Sequence, residues 1–336
     1  MATGISIVIC CYNSASRIEE TLRHLSLQKT EASLSWEIIV VDNASTDNTT
    51  QVTLDYWKSL SSSIKLFTIN EPQPGLTYAR NAGIKSSSYD VIVFCDDDNW
   101  LNESYIQTAF IKMTSHLDSG IIGGWCEGKY EIPMKPWLKP MKSALAIGQP
   151  VHKGALSKWK DTVNGAGMVL NKNAYEKLNS LGFKSQLQDR KSNALTAGGD
   201  SELCWAMFFM GYEVYFFEEL FFIHFMPKKR LTTKYFFKLT LDHVTHLIVL
   251  RMYPIVFSEP NQAFFKFLVS FSVRKIGETI YIFPRMIIGK SRFRSLIQFL
   301  QSIKMLFVIW VRYSEFKVTY QEIRNFKNRC QQCDNL

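Results

Sequence analysis

The chain has 336 residues, of which 46% are hydrophobic and 21% charged. That composition excludes an intrinsically disordered protein, and the length suffices for one large domain with an appended region. The charge is uneven, because residues 1–225 carry a net −4 whereas residues 226–336 carry a net +13 among many apolar side chains. No helix-turn-helix, zinc-finger or RNA-binding signature accompanies the basic part. We therefore expect no nucleic-acid partner, and an anionic membrane surface is the polyanion that the charge favours.

The seven cysteines are scattered, and several lie in apolar runs where a reduced thiol packs as a small hydrophobe. This pattern predicts a cytoplasmic protein. We expect no secretory signal at the start, and no window of 18 uninterrupted apolar residues occurs. The segment Leu296–Val311 comes nearest, but its polar residues predict an amphipathic or buried helix.

Residues 1–125 alternate short β-branched runs with helical stretches, which predicts strand–helix–strand units in a mostly parallel sheet of α/β class. The predicted strands are Ile5–Cys10, Glu37–Val41, Ile64–Ile69, Val91–Cys95 and Ile121–Trp125. The predicted helices are Ala15–Gln28, Thr46–Ser59, Leu76–Ser86 and Asn102–His116. Ligands of such sheets lie beyond the carboxyl ends of the strands, so the residues that follow each strand are the candidates for a site.

The second half of the chain is less regular. Residues 130–165 are predicted to form a long loop that faces a substrate. Further predicted elements are a strand at Gly167–Leu170, a helix at Asp200–Met210, and two short strands at Tyr212–Phe217 and Phe221–His224. From Leu231 onward the pattern predicts helices, with breaks near Pro254–Pro260, Pro284 and Gly289.

Three carboxylates, Asp96, Asp97 and Asp98, follow the apolar run Val91–Cys95. Since side chains alternate along an extended chain, Asp96 and Asp98 are predicted to point the same way as a pair of oxygen ligands. Mg²⁺ or Mn²⁺, shared with substrate phosphates, would relieve their repulsion. The alternative is a solvated turn in which Asp98 or Asn99 caps the next helix.

Other polar side chains follow predicted strands or open helices. Asp42 is placed to accept hydrogen bonds from a base or ribose, and Tyr12 offers a flat ring beside Asn13. Arg80 lies in the second turn of its helix, where it would pair with Asp42 or a ligand, or form a surface salt bridge. Asp200 opens a helix as either an N-cap or a positioned base.

Taken in this order, the segments resemble glycosyltransferase family 2, the inverting nucleotide-sugar transferases with the GT-A fold. The resemblance covers residues 3–226 and is specific because five motifs occur in order. The matching segments are Ile5–Asn13, Val41–Asp47, Ala79–Gly83, Asp96–Asp98 and Gly199–Leu203. The departures are Cys10-Cys11 where Pro-Thr is usual, Asn43-Ala44 where Asp-Gly is common, and Gly199 where Glu is common.

The resemblance implies a GT-A catalytic domain at residues 1–226 and a basic helical region at residues 227–336. The domain would comprise a nucleotide-binding part at residues 1–125 and an acceptor and base part at residues 126–226. Its central sheet would be flanked by helices.

The same resemblance implies roles for individual residues. Asp42 would contact the nucleobase, Arg80 would support the nucleotide, and Asp200 would be the catalytic base. Metal ligands would come from Asp98, Asp96 and His224, of which Asp96 would also touch the ribose. The remaining substrate contacts implied are Tyr12, Asn13, Asp97, Trp125 and Gly167.

These assignments predict transfer of a sugar from a nucleotide-sugar donor, with a UDP-sugar favoured, to a hydroxyl of a glycan or lipid-linked oligosaccharide. The setting would be bacterial surface polysaccharide synthesis, at the inner face of the cytoplasmic membrane, with Mn²⁺ or Mg²⁺ as cofactor. The alternatives for the basic region are a helical cap that covers the sheet and a homodimer. One alternative is a nucleotidyltransferase, which the lack of a Gly-rich basic phosphate loop disfavours. The other alternative is a non-catalytic nucleotide-sugar binder. Intact Asp96, Asp98 and Asp200 disfavour it, because a binder has no use for a base.

Overall fold

A computed structural model describes residues 4–148, 153–156, 161–187, 195–289 and 292–333. Its strands form one sheet in the order β3-β2-β1-β4-β8-β6-β9-β5, and β7 also pairs with β9. They are β1 (Gly4–Cys11), β2 (Ser35–Asp42), β3 (Lys65–Asn70), β4 (Val91–Asp96), β5 (Asn99–Leu101), β6 (Ser119–Tyr130), β7 (Gly154–Ala155), β8 (Val169–Asn171) and β9 (Glu213–Met226).

Eleven α-helices lie in the described residues, together with 3₁₀ segments at Lys139–Leu145 and Lys228–Leu231. The helices are α1 (Ile18–Ser26), α2 (Thr49–Ser59), α3 (Leu76–Ser86), α4 (Tyr105–Ser115), α5 (Lys172–Ser180), α6 (Gly199–Phe209), α7 (Thr233–Asp242), α8 (Val244–Ser258), α9 (Phe264–Ile288), α10 (Arg292–Val311) and α11 (Tyr313–Cys333). Most of residues 130–165 that the structure describes have no strand or α-helix, as the sequence predicts.

The α/β class and the C-terminal helices are confirmed, and the sheet is mixed. Strands β3, β2, β1 and β4 are parallel, with β8 antiparallel to β4 and β6, and β5 and β7 antiparallel to β9. In the parallel part Cys11 lies opposite Asp42, and Cys10 lies opposite Asp96. Since neighbouring strands are about 4.8 Å apart, Asp42 and Asp96 flank the end of β1 at roughly 10 Å from each other.

Several predicted boundaries are wrong. The two short strands predicted before His224 are one strand, β9, which pairs with β6 up to Phe217 and again from Phe222, on both sides of a bulge. Helix α8 continues through Pro254 and α9 through Pro284, since packing of these helices outweighs the single hydrogen bond that each proline removes. The predicted ends near Pro260 and at Gly289 are confirmed.

The helices beyond β9 pack on the same core as the sheet. Strand β9 ends at Met226, the predicted domain boundary, yet α8 contacts α6 through a buried carboxylate, Glu202. It accepts hydrogen bonds from the Tyr253 hydroxyl at 2.6 Å, the Ser185 hydroxyl at 2.5 Å and the Gln186 N–H at 2.9 Å. Burial raises the pKa of Glu202 to about 7, against these donors. Glu202 therefore joins α6, α8 and a loop, and it is no candidate for a solvent-facing base.

A bulge in β9, opposite Trp125 of β6, shifts the register of the two strands. The register of β6 against β9 shifts between Gly124 and Cys126. A Cβ added at Gly124 would overlap the backbone carbonyl of Leu220, which cannot rotate away as a side chain could. The residue is therefore restricted to glycine by a close approach of two backbones.

We predict that Gly124→Ala lowers the free energy of unfolding by at least about 2 kcal/mol, because the overlap forces the bulge to move. Gly277→Ala is the matched control: nothing lies within 4 Å of the added Cβ, and the site is inside α9. It should raise stability by about 0.5–1 kcal/mol. Urea unfolding midpoints measure both effects, and equal midpoints for the two variants would contradict the assignment.

Candidate active site

The loops after β1 and β2 are joined by several hydrogen bonds, and Asn13 makes two of them. Asn13 has a φ of 50°, its N–H donates to the Ser45 hydroxyl at 3.0 Å, and its Oδ1 accepts from the Thr46 N–H at 2.8 Å. Asparagine tolerates this left-handed conformation better than most residues. The adjacent Tyr12 is 57% exposed, so its ring is available to a flat ligand.

Asp42 lies at the end of β2 with both carboxylate oxygens engaged. One accepts from the Ser45 N–H at 3.1 Å and the other from the Thr50 hydroxyl at 2.6 Å. Each oxygen keeps a second lone pair, so the carboxylate is fixed in position and can still accept from a ligand.

Asn43, which replaces the aspartate common in the family that the sequence resembles, shapes the next loop. It is buried, its Nδ2 donates to the carbonyls of Glu71 at 3.0 Å and Gln73 at 2.7 Å, and its Oδ1 accepts from the Gly75 N–H at 2.8 Å. Because only an amide can donate and accept here, the departure from aspartate is explained by this loop. The loop leads directly into α3, which carries Arg80.

Arg80, Gly165 and Asp200 come together next to β4. The Gly165 N–H donates to Asp200 Oδ2 at 2.8 Å, and a Cβ on Gly165 would overlap the Arg80 guanidinium. Arg80 also lies over the Phe94 ring, with 5.2 Å from Cζ to the ring centroid. The Gly167 N–H in turn donates to the Phe94 carbonyl at 2.9 Å, two residues before Asp96. A cation and a carboxylate predicted from distant segments therefore lie beside the same glycine.

Asp200 is the second residue of α6 and not its N-cap, since the N-cap position is Gly198. Its other oxygen, Oδ1, accepts from the Ser201 N–H at 2.7 Å.

The three carboxylates after β4 do not continue the strand. The strand ends at Asp96, and residues 97–98 form a tight turn into β5 that is held by the Asp96 N–H donating to Asn99 Oδ1 at 3.0 Å. The prediction that strand alternation points Asp96 and Asp98 the same way is therefore wrong, because Asp98 lies in the turn and not in the strand. The helix-capping alternative is wrong as well, because α4 starts only at Tyr105.

Asp97 is engaged within the protein. Its carboxylate is 2.6 Å from the Arg17 guanidinium and accepts from the Ser14 hydroxyl, and the residue is only 7% exposed. Burial and the neighbouring Asp98 charge raise the pKa of Asp97, against the attraction of Arg17. The prediction that Asp97 contacts a substrate does not fit this geometry, since its role is to fix the turn.

Asp98 forms a buried cluster with His224 and Arg230. Its Oδ1 is 3.3 Å from His224 Nε2, its Oδ2 is 3.1 Å from Arg230 Nη1, and this Nη1 is also 3.3 Å from His224 Nε2. Burial lowers the pKa of Arg230, but Asp98 outweighs it and the pKa is raised. The resemblance implies that Asp98 and His224, 126 positions apart, bind the same metal, and the structure brings these two side chains together. Arg230 was not predicted. The only sequence signal for Arg230 was its place in the basic run Lys228-Lys229-Arg230 after β9.

Within the described part of the chain, no three His, Cys, Asp or Glu side chains converge as a complete set of metal ligands. Asp98 and His224 supply two donors, and His224 Nδ1 is buried with no hydrogen-bond partner in the structure described. A pair of this kind suits an ion that takes its remaining ligands from substrate phosphates and water.

Trp125 lines a cavity of about 220 Å³ between β6 and the 3₁₀ segment at Lys139–Leu145. Its ring packs against Phe221 at 5.5 Å between centroids, and Glu127, Tyr130 and Lys142 also face the cavity. A larger cavity of about 670 Å³ lies at the opposite, amino-terminal edge of β2, beside Trp36, and has no carboxylate in its wall. We assign the chemistry to the carboxyl edge, where the titratable groups lie.

The family model described as glycosyl transferase family 2 matches residues 6–178. Among curated proteins, the poly(ribitol-phosphate) β-N-acetylglucosaminyltransferase TarS of Staphylococcus aureus is 31% identical over 114 residues, which are 33% of this chain and 19% of TarS. The poly-β-1,6-N-acetyl-D-glucosamine synthase of Staphylococcus epidermidis is 32% identical over 101 residues, which are 30% of this chain and 23% of that protein. The similarity thus spans about a fifth of the length of these relatives.

Solved structures with the same fold extend over more of the chain. The mannosyltransferase PcManGT from Pyrobaculum calidifontis, in complex with GDP-Man and Mn²⁺, has a TM-score of 0.56 at 13% identity and covers 98% of this chain and 86% of its own. The crystal structure of S. aureus TarS has a TM-score of 0.51 at 14% identity and covers 75% of this chain and 43% of its own. At these identities the likeness shows a shared GT-A fold.

We predict that Asp98→Asn lowers the free energy of unfolding by about 3 kcal/mol, because it leaves the buried Arg230 cation without its carboxylate. Adding Arg230→Gln should cost less than the two single changes together, with a coupling of about 1–3 kcal/mol. Asp96→Asn, at a more exposed carboxylate, is the control and should cost under about 1 kcal/mol. Denaturant titration of the four variants measures the cycle, and strict additivity would show that Asp98 and Arg230 do not interact.

Proposed function

We propose an activity for this chain, which belongs to glycosyl transferase family 2: it transfers a sugar from a nucleotide-sugar donor to an acceptor hydroxyl, with inversion at the anomeric carbon. The observation that carries the proposal is the convergence of Arg80 and Asp200 on Gly165, beside the strand end that bears Asp96 and Asp98. The Arg80 cation and the Asp200 carboxylate, which would have separate tasks, then border the same space. Transfer needs both, to neutralise a leaving diphosphate and to remove a proton.

For the donor, we assign the nucleoside to the ends of β1 and β2. Asp42, fixed by Ser45 and Thr50, would accept hydrogen bonds from the base, and the exposed ring of Tyr12 would stack on it. Asn13 would hold the two loops in place. Arg80 would neutralise the diphosphate. Asp96 would contact the ribose, which links the base to the diphosphate. The roughly 10 Å between Asp42 and Asp96 suits a nucleoside laid across the end of β1.

The residues of this site suit a divalent ion that the protein and the donor would bind together. Asp98 and His224, together with Asp96, would hold Mn²⁺ or Mg²⁺ jointly with the donor diphosphate. When bound, the ion would stabilise negative charge on the leaving diphosphate. Arg230 balances Asp98 in the structure described, at 3.1 Å, and would share that carboxylate with the ion.

For the acceptor, we assign the general base to Asp200 and the binding surface to the Trp125 side. Asp200 would take the proton from the attacking hydroxyl while Gly165 keeps the carboxylate aimed. Gly167, whose carbonyl accepts from the Tyr105 hydroxyl, would let the donor sugar approach the backbone. The cavity beside Trp125, with its aromatic wall, would receive the acceptor sugar.

The names of the relatives support a narrower proposal. TarS and the S. epidermidis synthase are both named for N-acetylglucosamine, so we propose a UDP-sugar donor, with an N-acetylhexosamine first among the sugars to test. The acceptor would be a glycan or lipid-linked oligosaccharide of a bacterial surface polysaccharide. The protein would then work in the cytoplasm at the inner face of the membrane, where such lipid-linked acceptors and the nucleotide sugars meet.

We predict that Asp200→Asn lowers turnover by about 10² to 10⁴, because an amide cannot take the proton from the acceptor. Asparagine keeps an oxygen for the Gly165 N–H, so donor affinity should change little. Nucleoside diphosphate release measures turnover, and calorimetric titration measures affinity. The matched control is Asp118→Asn just before β6, which should leave both unchanged. A loss of donor affinity as large as the loss of rate would place Asp200 in the donor site instead.

We also predict that Mn²⁺ binding in the presence of UDP depends on Asp98 and His224. Asp98→Asn and His224→Gln should each weaken the ion at least about tenfold, whereas Asp118→Asn should not. Electron paramagnetic resonance of free Mn²⁺ measures binding without any need for turnover. Excess chelator should abolish turnover, and added Mn²⁺ should restore it. Full turnover in chelator would remove the ion from the mechanism.

A further inference from the structure

We propose that the antiparallel helices α9 and α10 form a hairpin that docks in the plane of an anionic bilayer. The inference rests on the membrane location in the proposed function and names the surface responsible. The partner of the hairpin is a lipid surface that carries negative headgroups.

A regular apolar stripe runs along α9 and is exposed over its whole length. Its residues are spaced three or four apart, which at 100° per residue keeps them within about 80° of the helix circumference over roughly 33 Å. They are between 40% and 68% exposed: Phe265, Val269, Val273, Ile276, Ile280, Phe283 and Ile287. Monomeric soluble proteins rarely expose a continuous apolar surface of this extent.

The stripe continues onto α10. Phe283 contacts Phe299 with ring centroids 5.8 Å apart, and the Trp310 indole N–H donates to the Ser272 hydroxyl at 3.1 Å. These two contacts show that the helices run antiparallel along each other. Exposed apolar residues on α10 follow the same spacing: Leu296, Ile303, Phe307 and Trp310. The hairpin therefore presents apolar side chains from both helices.

Its charge is almost entirely positive. Residues 264–312 carry nine basic side chains and one acidic one, Glu278. That carboxylate is already neutralised by Arg274 at 3.0 Å and Lys275 at 2.5 Å. Arg285 lies over the Tyr281 ring at 3.6 Å, and Arg294 is exposed near the start of α10. Apolar and cationic groups thus share the end of the hairpin, as in helices that bind anionic lipid interfaces.

Charge also argues against a second copy of the chain as the occupant. Self-association through this face would bring together two hairpins that each carry a net +8. Like charges at such an interface oppose association, whereas phosphate headgroups complement them.

The hairpin lies on the membrane and does not cross it. Among the described residues α10 is the one helix that is long and apolar enough to span, a test that core helices of soluble proteins also pass. Its other side is occupied, because Lys304 Nζ donates to the Leu241 carbonyl at 2.9 Å and Met305 and Ile309 are buried. Only one side of α10 is free to meet lipid.

The test is flotation of the full chain with vesicles of phosphatidylcholine, alone or mixed in equal parts with phosphatidylglycerol. We expect binding to the anionic vesicles, loss of that binding at high salt, and at least about tenfold weaker binding for Ile280→Glu. Arg285→Gln and Arg294→Gln should each weaken binding about fivefold. Leu117→Glu, at a residue 85% exposed and away from the hairpin, is the matched control and should bind as the unaltered chain does.

Light scattering without lipid gives the second readout. A monomer that binds only anionic vesicles supports the proposal. A dimer that Ile280→Glu converts to a monomer, or equal binding to neutral and anionic vesicles, overturns it. Neither readout uses a donor, so failure here is distinct from failure of the proposed transfer, which diphosphate release measures separately. Circular dichroism of each variant confirms that these exposed substitutions leave the fold intact.

Discussion

The site depends on how three adjacent carboxylates are kept together at one strand end. Asp97 and Asp98 are both largely buried, and their mutual repulsion must be balanced inside the protein. Two arginines that are distant in sequence do this: Arg17 from the loop before α1 pairs with Asp97, and Arg230 pairs with Asp98. With both charges balanced, the chain can turn sharply after β4 and present Asp96 at the open edge.

This balance links the nucleotide side of the sheet to the C-terminal helices. His224 lies near the end of β9, and Arg230 lies in the 3₁₀ segment that leads into α7. Glu202 makes a second connection, from α6 to Tyr253 in α8. The basic region is therefore attached to the candidate site through direct contacts, and α10 of its hairpin contacts α7 through Lys304. We infer that docking of the hairpin would keep the site close to a lipid-linked acceptor.

Much of the fold and of the site was predictable because the signals were local. Buried strands read as apolar runs, and parallel strands placed Asp42 and Asp96 at one edge without any knowledge of distances. What local patterns could not give were contacts across the chain. The pairing of Asp97 with Arg17 and the position of Arg230 beside Asp98 both depend on partners far away in sequence. Proline likewise misled the helix boundaries, because tertiary packing decided them.

The central claim is inverting transfer from a nucleotide sugar, and it can be tested without knowing the acceptor. Water can replace the acceptor hydroxyl, so proton NMR can follow slow hydrolysis of an α-linked UDP-N-acetylhexosamine in the presence of Mn²⁺. Inverting transfer predicts that UDP is released and that the β-anomer of the free sugar appears first, before mutarotation. Release of UMP with a sugar phosphate, or first appearance of the α-anomer, would contradict it.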